Sequence, residues 1–338
     1  MPPYYYSQMS REEQSVYHAM KEGVTALRPS FPVPRMEMRE LSSVLFRLRL
    51  DCPEIFWVTG FSCRVHPLAS SMECLPEYLF DKDKVKAHRQ AMEARRTKLV
   101  RSALALSDWE KEQYVHDFIC RNVRYDKLKK PYSHEIIGPL GQGVGVCEGI
   151  AKSVKLLCDT LGLESVIAIS ENAPDKGIRY RHAWNLVRRG KGWHHLDATF
   201  DDTLTAGGEP RYDYFGLDDR QVFRDHQPVV WPVPSCIDGD HTWYREKKLS
   251  FTRPEDVAKR ATQAIRKKKD LTFHWRGGYL TREVLGELMA RMESAATEKG
   301  RHVQVSLNWP QAVLRASFPE QAPAEAVMAQ EANEGEQS

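Results

Sequence analysis

The most constraining feature of this sequence is a glycine-rich segment that ends at a cysteine. Gly138, Gly141, Gly143 and Gly145 lead into Cys147, after which apolar residues recur at helical spacing. These apolar residues are Ile150, Ala151, Val154, Leu157 and Leu161. The pattern predicts a flexible approach to an amphipathic helix that begins near Cys147. The first turn of a helix offers unpaired backbone N–H groups and a favourable dipole, which would stabilise a thiolate.

Three short apolar runs follow this helix and are typical of strands. They cover residues 165–170, 182–187 and 193–196, and polar segments that favour turns separate them. His182 begins the second run, and Asp197 directly follows the third. Antiparallel pairing of the last two runs would bring these two side chains together at one end of a sheet.

Cys147, His182 and Asp197 are residue types that can act together to activate a thiol. A cysteine needs a base or an ion-pair partner to be a strong nucleophile at neutral pH, and the base needs a third group that fixes its tautomer. His182 could fill the first role and Asp197 the second. Asp201 and Asp202 lie nearby in the chain and are rival candidates for the orienting carboxylate.

Three segments of the chain resemble the transglutaminase-like superfamily, namely GVGVCEGIAKSVKLLCDTLGL, HAWNLV and GWHHLDATFDD. The resemblance extends over residues 105–225 and includes EKEQYVHDFICRNVRYD before the cysteine and RYDYFGLDD after the aspartate. It implies that Cys147, His182 and Asp197 form the catalytic triad of a bacterial-type transglutaminase-like cysteine peptidase domain. It also implies an α+β, papain-like core in which the cysteine-bearing helix packs on an antiparallel sheet.

The patterns around this core divide the chain into four expected parts. Residues 1–104 are expected to be mainly helical, and residues 105–249 to form the catalytic core. Residues 250–318 alternate helical and strand patterns, which predicts a small α/β unit. Residues 319–338 contain five glutamates and no basic or aromatic residue, which predicts a disordered acidic tail. In the first part we expect helices near residues 11–27, 36–50 and 81–104 and a strand at 55–58.

Composition and charge exclude several classes of function. The net charge of +3 arises from 49 basic and 46 acidic residues, which argues against nucleic acid as the principal partner. The sequence has no signal-like N-terminus and no long apolar run, so we expect a cytoplasmic protein without a membrane partner. Seven cysteines, an odd number, argue against a disulfide framework. The sequence implies no cofactor and leaves the oligomeric state open.

The histidines beside the predicted triad raise the question of a metal site. His194 and His195 could form a zinc site together with His182. Adjacent residues of a strand face opposite ways, however, and no Cys-x-x-Cys motif accompanies them. We therefore predict no metal site here.

Several other conspicuous residues have a simpler structural interpretation. Cys158 lies on the apolar face of the predicted helix, and we expect it, like the other cysteines outside the triad, to be a small buried residue. Trp184 and Trp193 are expected to pack in the core. Gln142 could donate a hydrogen bond to an oxyanion, as a glutamine does in papain-like proteases, but the glycines around it leave its direction open.

These features predict a thiol-dependent enzyme that acts on a peptide or protein amide. We expect a cysteine peptidase or amidase that hydrolyses a peptide or isopeptide bond through a Cys147 thioester. Two alternatives stay open: a transglutaminase, in which an amine accepts the acyl group, and a non-catalytic binding module on the same fold. Hydrolysis is favoured because the predicted core has short loops, such as residues 171–179, whereas an amine-transferring site must exclude water.

Overall fold

The computed structural model of the 338-residue chain describes residues 3–65, 69–205 and 208–320. Its contacts divide the chain into two compact units, residues 1–239 and residues 240–338. The four-part division drawn from the sequence stays a prediction. Apart from its first two residues, the expected acidic tail at 319–338 lies outside the described residues.

The first hundred residues contain the expected helices together with a sheet that the sequence did not predict. The helices are α1 Tyr4–Ser7, α2 Arg11–Thr25, α3 Met38–Asp51 and α4 Lys82–Val100. The strands are β1 Phe31–Pro34, β2 Val58–Val65 and β3 Ser71–Tyr78. They pair antiparallel in the order β1-β3-β2. Strand β1 contains two prolines, which are tolerated because it lies at the edge of the sheet.

The prediction of a strand at residues 55–58 is wrong about where the strand lies. Only Val58 belongs to β2, while residues 55–57 form a buried turn before it. The Trp57 indole N–H donates a hydrogen bond to the Val24 carbonyl oxygen at 2.9 Å. The apolar run therefore reflects burial against α2, which a short sequence window cannot distinguish from a strand.

The expected α+β core is present in the first unit. Its helices are α5 Asp108–Asn122, α6 Cys147–Thr160, α7 Ala198–Thr205 and α8 Asp219–Val222. Its main sheet is antiparallel and consists of β6 Ser165–Ile169, β7 Ala183–Arg189, β8 Gly192–Leu196 and β9 Phe215–Leu217. Helix α6 packs against β6 and β7, and the Asn185 amide donates to the Ala151 carbonyl oxygen at 2.9 Å. The cysteine-bearing helix thus lies on the antiparallel sheet, as predicted.

The glycine-rich segment before Cys147 is closely packed, contrary to the predicted flexible approach. It forms a wide helical turn, Ile137–Gln142, and strand β5 Val144–Gly145, which pairs in parallel with β4 Arg124–Tyr125. A β-carbon at Gly138 would lie 2.7 Å from two backbone carbonyl oxygens. This glycine therefore permits a close approach of two chain segments, a role that composition alone does not reveal.

The second unit is a four-stranded sheet packed on helices. It contains α9 Trp243–Glu246, β10 Ser250–Phe251, α10 Pro254–Arg266, β11 Leu271–Trp275, α11 Arg282–Thr297, β12 Gln304–Asn308 and β13 Val313–Ser317. The strand order is β10-β11-β13-β12, and residues of α10, α11 and the sheet share one apolar core. Among the described helices of the whole chain, none is long and apolar enough to cross a membrane.

Candidate active site

The thiol of Cys147 lies at the first residue of α6 and is half-buried. Val146 precedes it in an extended conformation and donates its N–H to the Ser133 carbonyl oxygen at 3.0 Å. The same carbonyl would lie only 2.2 Å from a β-carbon at Gly149. Gly149 therefore lets the chain before α6 pack directly on the first helical turn and holds the cysteine at the helix start.

The β7–β8 hairpin places His182 and Asp197 side by side. His182 directly precedes β7, Asp197 directly follows β8, and the paired strands bring both to the same end of the sheet. The distance from His182 Nε2 to Asp197 Oδ2 is 2.6 Å. The His182 backbone is fixed in turn, because its N–H donates to Ser170 Oγ at 3.0 Å and its carbonyl accepts from the Ser170 N–H. The predicted pairing of these two side chains is thus present.

His182 and Cys147 line the same pocket, and the thiol is one of the groups that raise the pKa of the imidazole. Because Nε2 is bonded to Asp197, Nδ1 is the ring nitrogen that Asp197 leaves available for the thiol. A histidine that uses separate nitrogens for the thiol and the carboxylate can pass a proton on one side while it is oriented from the other.

The Asp197 carboxylate is buried and fully hydrogen-bonded. Its Oδ1 accepts from the backbone N–H groups of Thr199 and Phe200 at 2.9 and 3.0 Å, in the first turn of α7. Its Oδ2 accepts from His182 and also lies 2.8 Å from Nε2 of a second histidine, His226. These contacts compensate for the removal of a charge from water.

His226 is a residue of this site that the sequence did not reveal. Its Nδ1 lies 2.9 Å from Asp225 Oδ1, and the Tyr214 hydroxyl donates to the other oxygen of Asp225. His226 follows α8 in a turn and carries no periodic or motif signal. It reaches Asp197 only because the chain folds back after β9, which is a tertiary contact that no local pattern encodes.

Electrostatics favour the charged form of the histidine and of the aspartate. Burial disfavours the imidazolium, but the charge and hydrogen bond of Asp197, together with Cys147, outweigh it and raise the pKa of His182 to about 10. Burial likewise disfavours the Asp197 carboxylate, but His182 and His226 hold its pKa well below the usual range. At neutral pH the pair is therefore an imidazolium and a carboxylate.

Aromatic rings fix the plane of the His182 imidazole. Phe200 stacks on the ring at a centroid distance of 4.6 Å and Trp184 at 5.9 Å. Trp184 is buried, as predicted, and it also contacts the candidate site. Trp193 is half-buried and packs against the same core cluster. Gln142 is exposed and does not line the pocket at Cys147.

A pocket of about 280 Å³ opens beside the thiol. Its lining residues are Phe46, Tyr125, Lys129, His134, Val146, Cys147, Glu148, Ile169, Tyr180, Arg181, His182 and Ala183. The thiol and the imidazole thus both face a cavity that a small part of a peptide or an amide could enter.

The hydrogen bonds of His195 do not favour a metal ion on that ring. His195, Asp219 and Cys236 place possible ligand atoms within 4.8 Å of one another, as do His182, Asp197 and His226. The Trp184 indole, which is only a donor, bonds His195 Nδ1 at 2.9 Å, so Nε2 carries the proton that it donates to Asp219 at 2.8 Å. A metal on Nε2 would have to displace that proton and leave an imidazolate.

The rival carboxylates lie elsewhere. Asp201 is fully buried and its Oδ2 lies 3.0 Å from Nε2 of His116, while its Oδ1 accepts from the Tyr214 N–H. Asp202 is partly exposed, and burial raises its pKa to about 6. In the described parts of the chain, neither Asp201 nor Asp202 forms a hydrogen bond with His182, as Asp197 does.

The cysteines other than Cys147 are buried, with the exception of Cys63, which is half-buried. All seven cysteines are free thiols.

Comparison with known proteins identifies the class of domain. Residues 95–198 match the family model of the transglutaminase-like superfamily, which includes cysteine peptidases and transglutaminases. The matched range contains Cys147, His182 and Asp197. The chain therefore carries a domain of the transglutaminase-like superfamily. A search of curated protein sequences gave no significant match.

Solved structures show more distant similarity. A TGase is 15% identical with a TM-score of 0.28, and the match covers 50% of each chain. A candidate cysteine protease from Cytophaga hutchinsonii is 13% identical with a TM-score of 0.26 and covers 42% of this chain and 62% of its own. Menin, in a structure that reveals its binding site for Mixed Lineage Leukemia protein, is 14% identical with a TM-score of 0.28. The match covers 86% of this chain and 62% of menin. This chain thus spans 50% to 62% of the lengths of these proteins.

Proposed function

We propose that this chain is a thiol-dependent acyl-transfer enzyme, and that it is a cysteine peptidase or amidase. The observation that supports this most strongly is the hydrogen bond between His182 and the Asp197 carboxylate at a pocket that Cys147 and His182 both line. Cys147, His182 and Asp197 are then the nucleophile, the acid–base group and the orienting carboxylate.

In the proposed first half-reaction, the Cys147 thiolate attacks the carbonyl carbon of an amide. The negative charge that develops on the oxygen is stabilised by backbone N–H groups in the first turn of α6. The C–N bond then breaks, His182 gives its Nδ1 proton to the leaving nitrogen, and a thioester with Cys147 remains. Asp197 keeps the imidazole oriented throughout, since its second oxygen is held by the α7 backbone.

In the second half-reaction, water attacks the thioester and His182 accepts the proton of that water. The C–S bond breaks, a free acid leaves, and the thiolate–imidazolium pair is restored. An amine in place of water would make the protein a transglutaminase, which is the alternative within the same chemistry. A non-catalytic module is the alternative outside it.

Parallel measurement of both products of the thioester tests this proposal. The protein is mixed with an amide-bearing peptide and excess monodansylcadaverine, and free acid and labelled peptide are followed together. We expect free acid to form faster than labelled amide, and neither to form with Cys147→Ala. Faster incorporation of the amine would make the chain a transferase, and formation of neither product by the wild type across a peptide library would favour the non-catalytic alternative. Cys158→Ala is the matched control, because Cys158 lies on the buried face of the same helix.

A further inference from the structure

Positive charge is concentrated around the Cys147 pocket. Two of its lining residues are basic, Lys129 and Arg181. Three more basic residues lie within two positions along the sequence of a lining residue, namely Arg124, Lys127 and Arg179. We call these five residues the basic rim. All five are exposed, and none forms an ion pair with a carboxylate in the described ranges of the chain. The rim consists of two separate segments, residues 124–129 and 179–181.

The acidic residue that lines the pocket is already paired with other cations. Glu148 lines the pocket, but its carboxylate lies 2.7 Å from Lys152 Nζ and 3.6 Å from Arg49 Nη2. Both of these cations also bond the buried Glu135. Two cations and two carboxylates therefore form an internally neutral cluster. Lys129 and Arg181 line the same pocket and form no ion pair with a carboxylate in the described residues.

The loop that carries Lys129 is held in place by hydrogen bonds. The Asp126 carboxylate accepts from the backbone N–H groups of Leu128 and Lys130 at 3.0 and 2.9 Å, which fixes the loop that carries Lys129. Lys129 has a φ of +50°, a left-handed conformation that needs such support. Its Nζ lies 3.8 Å from the centre of the Tyr180 ring, so a cation–π contact joins the two segments of the rim across the pocket mouth.

We propose that the Cys147 pocket selects substrates that carry a carboxylate within about two residues of the amide under attack. This inference rests on the proposed function and adds the substrate class to it. Two cations that line a cavity and form no ion pair attract an anion and raise its local concentration. A neutral or cationic peptide gains nothing from them. The carboxylate can belong to an acidic side chain or to a free C-terminus.

Alkylation of Cys147 tests the charge preference without knowledge of the substrate. Iodoacetate and iodoacetamide transfer nearly the same group to the thiol, and only iodoacetate is anionic. The ratio of their rate constants at Cys147, measured by peptide mapping, reports the electrostatic potential at the pocket. The fraction of thiolate affects both reagents equally and cancels in this ratio. Each positive charge at a partly solvated site is expected to raise the ratio about three- to tenfold.

The test compares the wild type with the Lys129→Gln/Arg181→Gln double variant. We expect the iodoacetate-to-iodoacetamide ratio to fall about 10-fold in the double variant. It should stay within about twofold in Lys191→Gln, since Lys191 is exposed at the opposite end of the β7–β8 hairpin. In about 1 M NaCl the wild-type ratio should approach that of the double variant, because the Debye length is then about 3 Å.

Two failures can be told apart. If iodoacetamide labels Cys147 in the native protein but the ratio is the same in the wild type and the double variant, the proposed selectivity is wrong and the proposed enzyme stands. If neither reagent labels Cys147 in the native protein, the proposed function is wrong, and the proposed selectivity is wrong with it.

Peptide turnover then distinguishes the two sources of the carboxylate. Matched peptides carry either Glu with an amidated C-terminus or Gln with a free C-terminus, and a third carries Gln with an amidated C-terminus. We expect at least one of the first two to exceed the neutral peptide about 10-fold in kcat/KM, and the double variant to lose that advantage. Equal turnover of all three peptides by the wild type would overturn the proposal.

Discussion

The first unit contains two clusters with the same three side-chain types, and they differ in exposure and in hydrogen bonding. One cluster is Cys147, His182 and Asp197. In the other, Cys120 Sγ lies 3.6 Å from His116 Nε2, and Asp201 Oδ2 lies 3.0 Å from the same nitrogen. Residue composition and proximity are therefore not sufficient to define a catalytic site.

Three physical differences separate the two clusters. Cys147 begins a helix and faces a pocket, whereas Cys120 is buried in the last turn of α5, where the helix dipole opposes an anion. Burial raises the pKa of the Cys120 thiol. Both ring nitrogens of His116 lie beside a carboxylate, Asp201 at Nε2 and Asp117 at Nδ1, whereas among the described residues the only carboxylate bonded to His182 is Asp197, at Nε2. The second cluster is therefore a packing arrangement of the core.

The largest expected effect comes from removal of each thiol in turn. Cys147→Ala should reduce turnover to under a few per cent with less than about 1 kcal/mol lost in the free energy of unfolding, because a half-buried thiol contributes little packing. Cys120→Ala should keep most of the turnover and lose about 1 to 2 kcal/mol, since it opens a small cavity in the core. Rate measurements and urea unfolding of both variants provide the check. Comparable loss of turnover in the two would erase the distinction between the clusters.

Neutralisation of the two carboxylates sharpens the comparison. Asp197→Asn should reduce kcat by roughly 10⁴, as in other triads whose imidazole tautomer is no longer held. Asp201→Asn should keep kcat within a few-fold but destabilise the fold by about 3 kcal/mol, because it breaks a buried pair with His116. Turnover per folded molecule and thermal unfolding separate the two effects. If Asp201→Asn proved the more damaging to kcat, Asp197 would not be the orienting residue.

A smaller effect is expected at His226, which has no counterpart in the Cys120 cluster. His226→Gln should lower kcat about fivefold, since one hydrogen bond contributes about 1 kcal/mol. It should also shift the alkaline limb of the pH profile of kcat/KM upward. Asp197 would lose a competing partner and interact more strongly with His182, whose pKa is already raised to about 10. His18→Gln, an exposed histidine on α2, is the control and should change neither quantity. An unchanged pH profile in His226→Gln would assign His226 to packing alone.

Much of the site could be predicted because it follows from local rules. The hairpin register places His182 and Asp197 at one end of the sheet, and helical periodicity places Cys147 at the start of α6. The alternation of helices and strands in residues 250–318 follows from equally local signals.

The remaining features depend on tertiary contacts. Asp201 lies four residues after Asp197, and nothing in the sequence indicates that it turns to His116 instead of His182. His226 reaches Asp197 through a chain reversal. The glycines before Cys147 reflect backbone segments in close approach, which composition alone cannot distinguish from flexibility.

The most direct test of the account is the pH dependence of iodoacetamide labelling in the native protein, with each cysteine identified by peptide mapping. An ordinary thiol has a pKa of about 8.5 and reacts slowly at pH 6. The pKa of His182 is raised to about 10, so an imidazolium lines the Cys147 pocket throughout the neutral range, and a neighbouring cation favours a reactive cysteine. We predict that Cys147 is labelled at pH 6 at least about 10-fold faster than any other cysteine and that Cys120 is protected until the protein unfolds. Labelling of Cys147 only above pH 8, or equal labelling of Cys120, would contradict the account.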